Sequence, residues 1–346
     1  MKTNVNLQAY NSFGFPVQAK YFVEINDVRE LDRLFGMPEY KNEKRLVLSG
    51  GNNILFTNDY FDGLVIYMNT KGIEIIDDLE GNKVTVHAQA GEDWPEFVKK
   101  MVGKGLYGIE NLAHIPGKVG AAPVQNIGAY GMELEKSFLR CEAIHLETGQ
   151  KRVFSKEECR FGYRESIFKS ELKGQYVITS VDFLLHKQAE LKLKYGNIKS
   201  YLAEHGMEQP TLKQLHDAIC AIRDAKLPDP KVIGNAGSFF KNPVITINDF
   251  EAMEKDYPDI KDKAFDIQGD PNHKKIPAGW LIEQAGWKGH REGHVGVYEK
   301  QALVLVHYGG GKGEDVLALS QKIQQSVKAK FGKYGIMISP EVNFIP

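Results

Sequence analysis

Short runs of aliphatic and β-branched residues, separated by glycine-rich turns, dominate the first half of the chain. Arg45–Leu48 and Leu64–Tyr67 read as strands, and Ile73–Ile76 with Lys83–Ala88 reads as a hairpin closed around Glu80-Gly81-Asn82. Glu92 to Val102 has the apolar spacing of an amphipathic helix, with Pro95 tolerated in its first turn. Arg140–Leu146 and Lys151–Phe154 predict another hairpin, turning at Glu147-Thr148-Gly149-Gln150. Ser155 and Glu158 then have capping-box spacing for a short helix.

Around residue 190 the texture changes. Thr211 and Gln214 form a second capping-box pattern, and Leu212, Leu215, Ile219 and Ile222 follow at helical spacing. That helix has to end near Leu227, because Pro228 and Pro230 exclude the α conformation before them. Mixed strands and helices are expected from Lys231 to about Gly310, then an amphipathic helix over Glu314–Phe331 and a terminal strand over Ile336–Ile345. No internal repeat or low-complexity tract interrupts this order.

The length of 346 residues suits two or three packed units, and 42% hydrophobic residues provide for a core. Lys plus Arg number 44 against 45 Asp plus Glu, so the net charge is -1 and no basic excess favours nucleic acid or anionic membranes. Cys141, Cys159 and Cys220 are odd in number and far apart, which fits reduced thiols rather than a disulfide framework or a metal knuckle. The polar N-terminus lacks the apolar centre of a signal peptide, and no apolar run approaches a membrane span, so a cytoplasmic location is expected.

Two segments carry the candidate chemistry. In Leu48–Phe56 (LSGGNNILF), Gly50 and Gly51 allow the backbone to turn several N–H groups into one concavity suited to a pyrophosphate; the plain alternative is a tight turn between strands. Asn111–Gly131 (NLAHIPGKVGAAPVQNIGAYG) holds four glycines and two prolines, and a loop that long without periodicity usually wraps a ligand.

The same segments, followed by CRFGYRESIFK (Cys159–Lys169), KLPDPKVIGNAGSFFKNP (Lys226–Pro243) and SPEVNFI (Ser339–Ile345), occur in the order seen in UDP-N-acetylenolpyruvoylglucosamine reductases, which the chain resembles over nearly its whole length. The resemblance implies an α+β architecture: a vanillyl-alcohol-oxidase-type (PCMH-type) FAD-binding fold plus a C-terminal α/β substrate-binding domain. Expected boundaries are 1–70 for a first FAD-binding subdomain joined by strand 335–346, 71–210 for a second, and 211–334 for the substrate domain. Noncovalent FAD, NADPH as reductant, a UDP-sugar substrate, no nucleic-acid partner and a monomeric state are implied with it. The flavin would be held by Gly50, Gly51, Asn52, Asn53, Ile115, Pro116, Gly117, Gly120, Gln125, Asn126, Gly128, Ala129 and Tyr130. The family's usual Gly-x-Gly-Ser-Asn turn is Ser49-Gly50-Gly51-Asn52-Asn53 in this chain, and His114 stands where a smaller residue is common.

The implied reaction passes a hydride to the vinyl carbon of an enolpyruvyl ether and leaves carbanion character beside its carboxylate, a charge that demands preorganised donors. By resemblance Arg164 offers the forked cationic donor, Ser238 delivers the proton, and Glu341 is either protonated or part of a proton relay, since two bare carboxylates repel. Taken singly, each has an ordinary alternative: a salt bridge, a turn, a strand cap. Tyr163, Tyr195, Lys226, Asn242 and Gln301 fall to the sugar-nucleotide side, with Lys226 a point charge for diphosphate and Tyr195 closing from a loop. His114 is read as packing or polar lining rather than a flavin tether.

Two patterns are set aside. His290, Glu292 and His294 have zinc-site spacing only on a helix, and Gly289 and Gly293 argue for a loop, so no metal is expected. Gly309-Gly310-Gly311-Lys312-Gly313 lacks the spacing and the hydroxyl residue of a nucleotide loop and reads as a strand-to-helix connector. No convincing Gly-x-Gly-x-x-Gly follows a first strand, which argues against Rossmann-type binding. The competing readings are an oxidase of the same flavin fold and a flavin-free binding protein.

Overall fold

The computed structural model describes residues 1–77, 81–267 and 269–346, and the chain divides into two compact units. The first comprises Met1–Val5, Gln18–Gly51 and Tyr60–Ala225. In it, Arg45–Leu48 and Gln18–Ile25 flank Tyr60–Met68, both parallel to it. The central strand is buried almost without interruption from Leu64 to Met68, as a parallel strand covered on both faces should be. Helix Arg29–Phe35 lays Leu31 and Leu34 on Ile25, Leu64 and Ile66.

The same unit holds an antiparallel sheet ordered Lys151–Ser155, Phe138–His145, Tyr176–His186, Lys83–Gln89, Ile73–Asp77. Lys83–Gln89 alternates buried and accessible positions, the signature of a strand with one face on a core. Helix Trp94–Gly103 packs on it through Trp94, Phe97 and Met101; its cap is Asp93, which accepts the Glu96 N–H at 3.1 Å, so the predicted helix starts two residues late. Of the expected turn at 80–82, Glu80 lies outside the described residues.

Three expectations are corrected. Ser155 and Glu158 do exchange capping bonds, yet residues 156–160 form only a turn, because Arg160 takes a left-handed φ of 45° and ends the winding. The helix expected to open the C-terminal domain, Leu212–Lys226, buries Leu215, Ile219 and Ile222 in the core of the first unit and belongs there up to Ala225. Within the expected terminal strand only Asn343–Ile345 is regular, since Ser339 to Glu341 instead line up with Phe239 to Lys241.

The second unit gathers three pieces: Asn6–Val17, Asn52–Asp59 and Lys226–Pro346. Its main sheet runs Gly234–Ser238, Val304–His307, Val295–Val297, Arg291–Glu292, and a smaller sheet joins Val244–Thr246, Asp270–Lys275 and Phe265–Ile267. Helix Gly313–Phe331 buries Val316, Leu319, Ile323 and Val327. Strand Asn343–Ile345 pairs in parallel with Ile54–Phe56, from the stretch first assigned to residues 1–70. Gly313 begins its helix so close to Phe56 that a Cβ would lie 1.7 Å from the Phe56 carbonyl oxygen, which excludes every other residue.

Candidate active site

In the first unit the glycine turn leaves the carboxyl end of Arg45–Leu48. Gly51 has φ 64°, a conformation costly for other residues, and the Ser49 hydroxyl is buried with no hydrogen-bond partner. A buried, unsatisfied donor beside a glycine turn is what an anionic ligand requires and an ordinary turn does not. Asn52 lies in the turn, whereas Asn53 is drawn into the second unit's structure: its carbonyl accepts the Asn343 N–H at 3.0 Å, and its amide donates to the Glu341 carbonyl at 3.4 Å.

The long loop is pinned near its start. Trp94 donates from its indole to the Leu112 carbonyl at 2.9 Å and from its backbone to Gly117 at 2.9 Å. Ile115 packs partly on the core, Pro116 is exposed, and Gly117 has φ 125°. Gly120 lies against Ala90, where an added Cβ would sit 2.5 Å from the Ala90 Cβ, so this glycine serves chain packing. Asn126, expected to face the cofactor, instead holds the loop together. Its amide donates to Glu133 and to the Gly162 carbonyl, both at 3.1 Å, while its oxygen accepts the Glu135 N–H. It is fully buried in a left-handed conformation, which leaves no donor for a ligand. Gln125 precedes it, half-buried, at the end of a 3₁₀ turn.

Gly128 and Ala129 form a two-residue ribbon with Met132 and Glu133. Arg164 donates to the Gly128 carbonyl at 2.8 Å from a tight turn in which Gly162 and Glu165 exchange backbone hydrogen bonds. Its φ is 56°, and Tyr130 has φ 48°. Such conformations cost about 1–3 kcal/mol each and persist only where the surrounding structure holds them, which is common at ligand sites. Tyr163 sets its ring 5.7 Å from the Arg164 guanidinium. Tyr195 packs on Gly131, where a Cβ would meet its ring at 3.0 Å, and remains 42% exposed. Burial raises the pKa of the Tyr195 phenol, and the Arg164 charge opposes that rise.

One residue beside Tyr130 escaped sequence reasoning. Arg223, on helix Leu212–Lys226, donates to the His114 carbonyl at 3.1 Å and acts electrostatically on Tyr130 and Arg164; burial lowers its pKa. A second cation thus joins Arg164 beside Tyr130, and its position three residues before the Lys226-Leu-Pro motif was the available signal. His114 itself is exposed and paired with Asp224 at 2.7 Å, a surface role rather than a packed one. Lys226, exposed, ends the helix.

In the second unit a β-bulge separates Asn235 from Ser238, and Gly237 at φ 68° turns the chain so that Ser238 is exposed beside the buried Phe239. The next carbonyl, of Phe239, accepts the Glu341 N–H at 2.8 Å, which brings the Glu341 segment alongside Ser238 with Glu341 only 8% exposed. Asn242 and Gln301 meet at helix Ala278–Gln284: Asn242 accepts the Ala278 N–H at 2.9 Å, and the Gln301 oxygen lies 3.0 Å from where a Gly279 Cβ would be. Both side-chain oxygens therefore serve the fold as well as any ligand.

The set-aside patterns have structural roles. Arg291–Glu292 and Val295–Val297 form a hairpin, and Glu292 pairs with His290 at 3.1 Å and Lys322 at 2.6 Å. The glycine run after Val304–His307 is tied down by His307, whose Nε2 accepts from Gly311 while Nδ1 donates to the Phe13 carbonyl. Among the described residues no helix is long and apolar enough to cross a membrane.

Residues 19–152 match the FAD binding domain, and residues 229–345 match the UDP-N-acetylenolpyruvoylglucosamine reductase C-terminal domain. The chain is 46% identical over 346 residues to the UDP-N-acetylenolpyruvoylglucosamine reductase of Flavobacterium johnsoniae, covering 100% of this chain and 99% of the relative. It is 44% identical over 339 residues to that of Pseudomonas putida, covering 98% and 97%. The solved structure of the Thermus caldophilus reductase superposes with a TM-score of 0.66 at 22% identity, over 99% of this chain and 98% of that one. Fold and domain matches define an FAD-dependent oxidoreductase. More particularly, the chain belongs to the UDP-N-acetylenolpyruvoylglucosamine reductase family. The glycine turn with its buried, unpartnered Ser49 hydroxyl fits the cofactor this membership requires.

Proposed function

We propose that this chain reduces UDP-N-acetylglucosamine enolpyruvate to UDP-N-acetylmuramate in peptidoglycan precursor synthesis, as a cytoplasmic monomer that holds FAD noncovalently and takes no nucleic-acid partner. The observation that carries the chemical assignment is Ser238, exposed at a glycine-turned bulge with the Glu341 segment hydrogen-bonded to the next residue. FAD, when bound, supplies the hydride it receives from NADPH. Ser238 then gives its proton to the carbon that gains carbanion character. Arg164 holds and neutralises the substrate carboxylate, with Arg223 reinforcing the positive field around Tyr130. Glu341 acts either in protonated form or through a proton relay, since a bare carboxylate would repel the negative charge that develops. Tyr163, Tyr195, Lys226, Asn242 and Gln301 contact the sugar nucleotide, while the expected flavin contacts other than Asn126 remain assigned to the cofactor. The boundaries 1–70, joined by strand 335–346, and 71–210 remain proposed for two FAD-binding subdomains and 211–334 for the substrate-binding domain, apart from the helix that packs in the first unit.

Purified protein bleached anaerobically by NADPH should regain its yellow absorbance on adding the enolpyruvyl sugar nucleotide, and acid precipitation should leave FAD in the supernatant. Turnover with oxygen and no NADPH would favour the oxidase reading, and colour retained on denatured chain would overturn noncovalent binding. Tyr195→Phe tests the diphosphate contact: the ring keeps its packing on Gly131 and loses only a hydroxyl. The loss of about 1 kcal/mol predicts roughly fivefold weaker sugar-nucleotide binding. NADPH reduction should stay at the parent rate. Unchanged substrate affinity would remove Tyr195 from the site.

A further inference from the structure

Lys118 lies inside the long loop but points away from its surface and is 8% exposed. Its backbone is locked by an antiparallel bridge to Asp93, with Val119 donating to Glu92 and Trp94 to Gly117. The ammonium reaches the carboxyl ends of the parallel strands, donating to the Met68 carbonyl at 2.9 Å and the Asn69 side-chain oxygen at 3.0 Å, and lies 4.0 Å from the Tyr67 ring centroid. Leu48 pairs with Tyr67, which places Ser49 and the Gly50-Gly51 turn beside Met68 in register. The charge, the orphan hydroxyl and the glycine turn therefore converge where the strand ends of open parallel sheets receive ligands.

A buried ammonium is costly unless an anion or full hydrogen bonding compensates it. Both of its hydrogen-bond partners are neutral. Glu24, Asp93 and Glu92 attract it through space and Lys71 repels it; Asn69, whose oxygen accepts from the ammonium, donates its amide to the Glu24 carboxylate at 2.8 Å. Burial, assisted by Lys71, pulls the Lys118 pKa down to about 8. We propose that Lys118 is a cofactor-positioning residue whose ammonium completes, with Ser49 and the Gly50-Gly51 turn, a cradle for the diphosphate of bound FAD. This rests on the family assignment of FAD.

The test uses the full chain, stripped of flavin and titrated with FAD and with riboflavin, which lacks phosphate. Lys118→Met should weaken FAD about tenfold to a hundredfold, as loss of a charge-assisted hydrogen bond predicts, and leave riboflavin within about twofold. Removing a buried cation should not lower the melting temperature of the flavin-free chain. FAD affinity within twofold of the parent, or equal loss for both flavins, overturns the proposal. A second measurement needs no variant. An arriving diphosphate favours the charged lysine, so FAD binding should take up a proton above the free-state pKa and be about tenfold weaker at pH 9 than at pH 7. No proton uptake at pH 9, read from calorimetry in buffers of different ionisation enthalpy, overturns it even if Lys118→Met fails to fold. Failure of the parent to bind FAD at all would instead count against the family assignment.

Discussion

Ser238→Ala should still be bleached by NADPH at nearly the parent rate, and its reoxidation by the enolpyruvyl sugar nucleotide should collapse. Flavin reduction needs no proton at the substrate carbon, whereas the second half-reaction does. General-acid contributions run to about a hundredfold to ten-thousandfold, which sets the expected loss. Ser238 is exposed at a bulge and buries nothing, so alanine leaves the sheet intact and the defect chemical. Ser238→Cys should recover part of the rate, because a thiol is the stronger acid at a similar position. Rapid-mixing absorbance under anaerobic conditions separates the two steps. Parent-like reoxidation of the alanine variant would show that another group gives the proton.

Arg164→Lys should lower the same half-reaction by about a hundredfold to a thousandfold, the usual cost of removing one donor from a developing oxyanion. Lysine keeps the charge but not the planar fork, and one of the guanidinium nitrogens is already committed to the Gly128 carbonyl. A purely structural arginine would give a different pattern, with weakened FAD binding, slower reduction by NADPH and a lower melting temperature all together. The catalytic assignment predicts a drop in kcat for substrate reduction with FAD content and the first half-reaction preserved. An equal loss in both half-reactions would make Arg164 a loop support.

Much of the architecture was legible from residue pattern. Arg45–Leu48, the two hairpins, and the helices near residues 94, 212 and 313 follow from alternation, helical spacing and capping residues, which are local properties. What escaped depended on distant partners. The apolar stripe of Leu212–Lys226 announces a helix but not which core receives it. Ser339 to Glu341 read as strand because they are extended, yet their partners are at Phe239 to Lys241, about a hundred residues earlier. In the site, glycine turns and the Arg164 and Ser238 motifs were visible as motifs. Asn126 could not be told from a ligand-facing asparagine, since only the fold shows that Glu133, Glu135 and Gly162 take up its amide. Lys118 and Arg223 were missed for the converse reason: a cation in sequence looks solvated until its side-chain direction is known.

The pairing of Ile54–Phe56 with Asn343–Ile345 joins distant parts of the chain, and the Asn53 bond to Glu341 spans 288 residues. This has a kinetic meaning for synthesis on the ribosome. The second unit lacks a strand partner and the Glu341 segment until residues 341–345 have emerged. Its early pieces, 6–17 and 52–59, must wait through the making of the whole first unit. Closing so long a loop costs only a little more entropy than closing a moderate one, but it places assembly late and makes it slow. Until then the apolar faces around Phe13 and Phe56 lack that cover, so the nascent chain is most vulnerable to aggregation before residues 343–345 are available. For the same reason residues 226–346 do not constitute a portable module, although a family boundary falls near their start.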